Sequence, residues 1–277
     1  MEDLKLIAVS GDTQCDWVIN NKHDLVIQTG EINPFYQEEN DIELIVSDVC
    51  KKINPKDLTS VHFYGESCFF PKQRELIRKV LSHHIPEINI EVESDLLAAA
   101  RALFRQEAGI ACILGIGSNS CFYDGCRIRK NIAPLGYIWG DEGGGAVVGK
   151  IFIGNLLKNR YSDHLYKEFM DYYKTSPQEI MESVYKKAFP SRYLAQFTTF
   201  IAKNINEPAM YDLMFHTFSN FITGNIMQYN YLDYPVYFTG SIAFDFEDIL
   251  RDACLTNGIR AGEIIQNPLN GLIEFHR

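Results

Sequence analysis

The 277-residue chain is short of positive charge: 26 Lys and Arg face 36 Asp and Glu, for a formal net charge of −10. That balance excludes a nucleic-acid surface of the usual basic kind. Apolar runs are short too. None approaches the roughly 20 residues that a membrane helix needs, so no membrane partner is expected. The seven cysteines (Cys15, Cys50, Cys68, Cys112, Cys121, Cys126 and Cys254) form no Cys-x-x-Cys pair, and several lie in apolar, strand-like runs. They read as reduced, mostly buried thiols of a cytoplasmic protein. Met1-Glu2-Asp3 leads directly into a strand-like run with no basic segment ahead of it, so no signal peptide is expected. The adjacent His83-His84 end a helix-like run. Neighbours on a helix diverge by about 100°, so these two do not share a metal there. What is present, 46% apolar and 22% charged residues, is ordinary for a soluble globular protein. The length suffices for two domains.

The most informative stretch is Ile110-Ala111-Cys112-Ile113-Leu114-Gly115-Ile116-Gly117-Ser118-Asn119-Ser120-Cys121-Phe122-Tyr123-Asp124-Gly125. It reads as strand, Gly/Ser turn, strand and an Asp-Gly hairpin turn. Gly115, Gly117, Ser118 and Asn119 offer backbone N–H groups, a hydroxyl and an amide. Such a turn can close on phosphate oxygens because no Cβ blocks the approach. A second copy of the design opens the chain: a strand over 4–9, the polar turn Ser10-Gly11-Asp12-Thr13-Gln14, a strand over 16–19, a turn at Asn20-Asn21-Lys22 and a strand over 24–29. Two ordinary hairpins that use glycine for turn geometry would read the same way.

Residues 1–106 then continue as helix 38–53, strand 60–64, helix 72–83, strand 88–92 and helix 96–106, with Ser94-Asp95 as its cap. This order is βββαβαβα, with no low-complexity linker. The second half restarts with strands at 110–115, 119–124 and 126–131. A Gly-rich loop over 136–145 leads into helix 146–158. Residues 160–232 look helical, with one long segment over 207–231. Strand 236–240, a helix from Ser241 or Asp245 to about Asn257, a strand near 261–265 and a helix from Pro268 close the chain. The repeated order points to duplication of one α/β unit.

Together these pieces resemble the acetate kinase, sugar kinase, heat-shock protein 70 and actin superfamily. More narrowly, they resemble the BadF/BadG/BcrA/BcrD ATPase family and its N-acetylglucosamine kinase members. The resemblance rests on the opening turn, Thr29-Gly30-Glu31-Ile32-Asn33-Pro34-Phe35, and Glu93-Ser94-Asp95-Leu96-Leu97-Ala98-Ala99-Ala100-Arg101. It rests also on Pro134-Leu135-Gly136-Tyr137 with Gly140-Asp141-Glu142-Gly143, and on Tyr237-Phe238-Thr239-Gly240-Ser241-Ile242-Ala243-Phe244. It implies two actin-like (ribonuclease H-like) α/β domains, 1–108 and 109–277, with a helical insertion at about 160–232 in the second. ATP, with Mg²⁺, and an amino sugar would occupy a cleft, and the sugar 6-hydroxyl would be phosphorylated. A homodimer is among the assemblies to expect.

The resemblance also implies site roles. Ser10, Gly11, Asp12 and Thr13 would form one phosphate loop, and Gly117, Ser118 and Asn119 the other. Gly240 and Ser241 would lie beside adenosine. Asn33, Asp95, Gly136, Tyr137 and Asp141 would face the sugar, with Asp95 as base. Asp12 is the candidate Mg²⁺ ligand. Each has a plainer reading: Asp95 as a helix cap, Asn33 as a pre-proline turn residue, Asp141 and Glu142 as charges favouring a helix start, and Tyr137 and Trp139 as packing aromatics.

Three positions depart from the family pattern. Val9 stands where an acidic residue ends the first strand, Gln14 where a cation lies near phosphate, and Ile116 where a Thr separates two glycines. Phosphoryl transfer needs developing charge to be neutralised. A second reading is therefore a catalytically weak relative that binds sugar or nucleotide as a sensor or partner. A radical-generating ATPase activator is disfavoured, because no cysteine pattern for an iron–sulfur cluster occurs.

Overall fold

A computed structural model describes residues 3–21 and 25–277. The strands are β1 Lys5–Ser10, β2 Gln14–Ile19, β3 Val26–Gly30, β4 Ser60–Gly65, β5 Asn89–Ser94, β6 Ala108–Leu114, β7 Ser118–Asp124, β8 Ile128–Ile132, β9 Val236–Thr239 and β10 Ala261–Ile265. The helices are α1 Glu39–Lys52, α2 Pro71–His84, α3 Asp95–Phe104, α4 Gly136–Trp139, α5 Gly145–Leu157, α6 Asp163–Tyr173, α7 Pro177–Lys186, α8 Pro190–Ala195, α9 Thr198–Lys203, α10 Pro208–Gly224, α11 Ser241–Asp245, α12 Glu247–Thr256 and α13 Leu269–Phe275. No helix among the described residues is long and apolar enough to cross a membrane.

The chain divides into two compact units. One comprises Met1–Glu107, Gly125–Ile128 and Asn267–Arg277; the other comprises Ala108–Asp124 and Arg129–Gln266. Each holds a five-stranded mixed sheet, in the order β3-β2-β1-β4-β5 in the first and β10-β9-β6-β7-β8 in the second. Read from its other edge, the second order repeats the first. In each unit an antiparallel hairpin continues into a parallel set, β1-β4-β5 or β6-β9-β10. The duplicated α/β architecture expected from the repeated element order is therefore found, in the form that the family resemblance implies.

Parallel strands are covered on both faces, so they read as apolar runs. In β1, Leu6, Ile7 and Ala8 are buried, and in β6 Ile110, Ala111, Cys112 and Leu114. Helix α5 is apolar around most of its circumference, as a helix inside a core must be. The insertion α6–α10 packs an aromatic nucleus onto it. Phe152 meets Phe169 and Phe200 with ring centroids 5.3 and 5.8 Å apart. Such tilted ring pairs stabilise beyond their buried area.

Three details differ from the sequence reading. The third strand begins at Val26, and Asp24, with Lys22 of the preceding turn, lies outside the described residues. The long helix expected over 207–231 stops at Gly224 and gives way to a 3₁₀ turn over Ile226–Gln228. A tertiary bond fixes the following residue: the Tyr229 hydroxyl donates to Ser120 O at 2.9 Å and accepts from Ile132 N at 3.0 Å. The single helix expected to reach Asn257 is two, broken at Phe246, whose φ of −119° is not helical and whose ring is buried.

Candidate active site

In the first unit, Ser10, Gly65 and Ser94 stand in one register row at the C-terminal ends of β1, β4 and β5. That end of parallel strands is where α/β proteins bind ligands. Asp95 comes next, as the first residue of α3. The sequence left open whether Asp95 is a cap. Ser94 takes that duty, its Oγ accepting from Leu97 N at 3.2 Å. Asp95 Oδ1 accepts from Leu96 N at 2.8 Å, and Oδ2 is bonded to no other described residue. Burial raises the Asp95 carboxyl, the charge of Asp12 adds to the rise, and backbone N–H groups oppose it. The balance lifts it from 3.8 to about 6. Cys68 lies close by; burial, with the Asp95 charge, lifts its thiol to about 12, so it stays protonated and inert.

The opening turn is closed by Gly11 N donating to Gln14 O at 2.9 Å. Gly11 and Thr13 are exposed and Asp12 is half-buried. Ser10 is already engaged: its Oγ donates to Ile32 O at 3.0 Å and accepts from Ile32 N at 2.8 Å. It thereby braces the loop that carries Asn33. Buried Asn33 spends Oδ1 on the N–H of Phe35 at 3.0 Å, a turn bond of the kind Asn favours. Its side-chain NH₂ keeps no partner among the described residues and remains a donor.

Sequence reasoning missed Gln37, which accepts from Asn33 N at 2.7 Å and donates to Glu31 O at 3.0 Å. Its only signal was a polar residue four places after Asn33. Asp16 lies directly across from Val9 in the β1–β2 register. Its Oδ1 accepts from Gln14 Nε2 and Gln28 Nε2, each at 3.0 Å.

In the second unit, residues 115–117 form the tight loop between β6 and β7. The helix N-terminus of α5 holds it from behind: Gly145 N donates to Gly115 O at 2.8 Å and Ala146 N to Ile116 O at 2.9 Å. The N–H groups of Ile116 and Gly117 make no hydrogen bond among the described residues. Two adjacent unengaged N–H groups in a turn are available to an anion. Asp141 packs against the loop. A Cβ on Gly117 would stand 2.8 Å from Asp141 Oδ2, so a larger residue there would push the Asp141 carboxylate aside. Asp141 is buried at a φ of 57°, a left-handed conformation unusual outside glycine. Gly240, at φ +114°, is required as glycine, since a Cβ would meet Leu114 O at 2.3 Å.

The fold thus brings Gly117, Asp141 and Gly240 around one loop, although they are far apart in sequence. Ser118 is buried beside it. Asn119 uses Oδ1 internally, accepting from Ser120 N at 2.9 Å and Asn131 Nδ2 at 2.8 Å. Ser241 is exposed at the start of α11. Gly136 and Tyr137 open the short helix α4 rather than a loop, with Gly136 at φ +74°. Lys150, which the sequence gave no reason to single out, reaches from α5 to donate to Tyr137 O and lies 6.0 Å from its ring centroid.

The donor sets fit the groups implied for them. Asp12 and Asp95, close enough for their charges to interact, are hard oxygen donors of the kind Mg²⁺ takes. The glycine loop with two unengaged N–H groups suits the phosphates of a nucleotide.

No protein-family model and no curated protein matches the chain. Solved structures do. A protein of Porphyromonas gingivalis provisionally named N-acetylglucosamine kinase shares 42% identity, with a TM-score of 0.94 over 98% of both chains. A protein of Chromobacterium violaceum with the same provisional name shares the fold at 15% identity, TM-score 0.76, over 99% of both chains. A ROK family glucokinase from Streptomyces griseus, solved with glucose and AMPPNP, shares it at 11% identity, TM-score 0.57, over 98% of this chain and 97% of that one. On the first of these likenesses, the chain belongs to the family of the Porphyromonas gingivalis protein, the proteins provisionally named N-acetylglucosamine kinases, built on the actin-like two-domain fold of sugar kinases.

Proposed function

We propose that this protein is a cytoplasmic, ATP- and Mg²⁺-dependent kinase of the BadF/BadG/BcrA/BcrD ATPase kind that phosphorylates the 6-hydroxyl of N-acetylglucosamine. The observation that carries the reading is Asp95. Ser94 relieves it of capping, one oxygen is left for a ligand, and burial with Asp12 lifts it to about 6. Such a carboxylate is ionised near neutral pH, yet basic enough to take a proton from an attacking hydroxyl. The Asn33 amide would donate to a sugar oxygen. Asp141, Gly136 and Tyr137 are the further sugar-side assignments. In the second unit the N–H groups of Ile116 and Gly117, with Ser118, would bind phosphate oxygens, and Gly240 and Ser241 are the adenosine-side assignments; in the first unit Gly11 and Thr13 are the further phosphate-side assignments. Mg²⁺, held by Asp12, would supply neutralisation of phosphate charge.

A second reading, a weak or inactive binder of sugar or nucleotide, is favoured by Val9, Gln14 and Ile116, which together remove a carboxylate, a cation and a hydroxyl from the phosphate loops.

The test is ADP release with Mg²⁺·ATP and N-acetylglucosamine, beside calorimetry of each ligand alone. Sugar-dependent ADP release that Asp95→Asn abolishes supports the kinase. Tight sugar binding with no ADP release supports the second reading.

A further inference from the structure

About three residues back along β4 and β5 from Gly65 and Ser94, roughly 10 Å at the strand rise, the first unit holds a separate polar cluster of two half-buried residues and one buried one. His62 on β4 and Glu91 on β5 are register partners, and His276 follows α13 at the far end of the sequence. One ligating atom from each lies within 4.8 Å of the others. The His62 and His276 rings pack at 3.9 Å between centroids, tilted by 32°. The reading of Asp12, Asp95 and the glycine loop uses none of these residues.

We propose that His62, Glu91 and His276 form a binding site for one divalent ion of the zinc class, which ties α13 to the sheet of the first unit. Two imidazoles and a carboxylate are the donor set of three-ligand zinc sites that keep a fourth position for water. They suit zinc far better than Mg²⁺, which takes oxygen donors.

The surroundings resemble a completed outer shell, in which each ligand is oriented through its other polar atom. His62 Nδ1 meets Glu91 Oε2 at 2.8 Å, and its Nε2 pairs with Ser60 Oγ at 3.0 Å. Glu91 Oε1 is held by Arg101 at 2.9 Å. His276 Nε2 pairs with the Tyr64 hydroxyl at 2.7 Å, and that hydroxyl accepts from Arg101 at 2.7 Å. His276 Nδ1 keeps no partner among the described residues, and His276 as a residue is 7% exposed.

Ligand atoms on a tetrahedral zinc are about 3.3 Å apart, from bond lengths near 2.0–2.1 Å. Filling the site therefore needs side-chain shifts of about 1 Å. The Nδ1 proton that His62 gives Glu91 would move to Nε2, facing Ser60. Both histidines then bind as neutral imidazoles, which metal binding demands. One further atom fits: Arg101 Nε is buried with no acceptor among the described residues. A water in the fourth position would supply one. Arg101 and Lys5, which donates to His276 O at 2.8 Å, add positive charge nearby. Affinity in roughly the micromolar range is therefore expected, below that of a closed four-ligand site.

The experiment is titration of the full, reduced, chelator-stripped chain with Co²⁺ and then Zn²⁺. One equivalent of Co²⁺ is expected to give visible d–d bands without the thiolate charge-transfer band of a cysteine site, and Zn²⁺ to displace it while excess Mg²⁺ does not. Zn²⁺ at 100 times its dissociation constant should raise Tm by several degrees. Both signals should vanish in His62→Gln and in His276→Gln, with the circular dichroism spectrum retained. If His276→Gln fails to fold, His62→Gln alone decides. Absence of Co²⁺ bands, a thiolate band, or binding unchanged in His62→Gln overturns the proposal. None of these readouts uses kinase activity, so the outcome is independent of the proposed function.

Discussion

Replacing Asp95 by Asn isolates one proton acceptor while keeping the helix start intact. Ser94 still caps α3, and the Asn carbonyl can still accept from Leu96 N. What is lost is a base that burial and Asp12 lift from 3.8 to about 6. General-base removal typically lowers turnover by about 10²–10⁴. In the parent, kcat/KM should fall about tenfold per pH unit below pH ~6, the acid limb of a single ionising base. Stability should move the other way. Because the folded carboxyl is raised, the native state holds more protons than the unfolded chain between about pH 4 and 6. Stability therefore declines as pH rises through that window and is flat above it. The difference between 3.8 and about 6 corresponds to about 1–3 kcal/mol once partial exposure is allowed for. Asp95→Asn should thus melt at or above the parent temperature at pH 7.5 while losing activity. Steady-state rates from about pH 5 to 8, with thermal melts of both proteins, read both effects. If Asp95→Asn turns over within about threefold of the parent, or the parent profile is flat below pH 6, Asp95 is not the base.

Val9→Asp with Ile116→Thr should raise turnover about tenfold or more with saturating N-acetylglucosamine, by restoring a metal-directed charge and a hydrogen-bond donor. A parent already turning over at roughly 1–100 s⁻¹, with little gain in the double variant, would mean that Asp12 and Asp16, opposite Val9, suffice. Gly240→Ala should cost about 1–3 kcal/mol by urea unfolding, because its Cβ would meet Leu114 O at 2.3 Å from a positive φ; an unchanged midpoint refutes this contact. Tyr229→Phe should cost about 1–3 kcal/mol by leaving Ile132 N without its acceptor, while Ser120 O keeps its bond from Asn131 Nδ2, and a loss below about 0.5 kcal/mol would show that water replaces the hydroxyl.

Local pattern determined much of this protein. Apolar runs bounded by Gly, Asp-Gly and Asn-Pro marked the strands, and period-3.6 segments marked α1 and α2, because those periodicities record which face is buried. Repetition of one element order made the duplicated α/β architecture legible. The opening turn and the loop at 115–117 were legible too, since turn chemistry is local, whereas Asp95 read locally as a helix cap and was singled out only by the family resemblance.

Tertiary structure decided what sequence distance hides. Asp95 keeps one carboxylate oxygen clear of the helix start because Ser94 takes Leu97 N, while Oδ1 accepts from Leu96 N. Its basicity comes from burial and from Asp12 on another strand connection, and neither effect acts in an unfolded segment. Helix α10 ends at Gly224 rather than near 231 because hydrogen bonds from β7 and β8 hold Tyr229. His62, Glu91 and His276 are far apart in sequence and follow no metal-ligand spacing. They meet only because β4 and β5 pair in register and α13 folds back onto the first unit, an arrangement set by long-range packing and invisible to any local window.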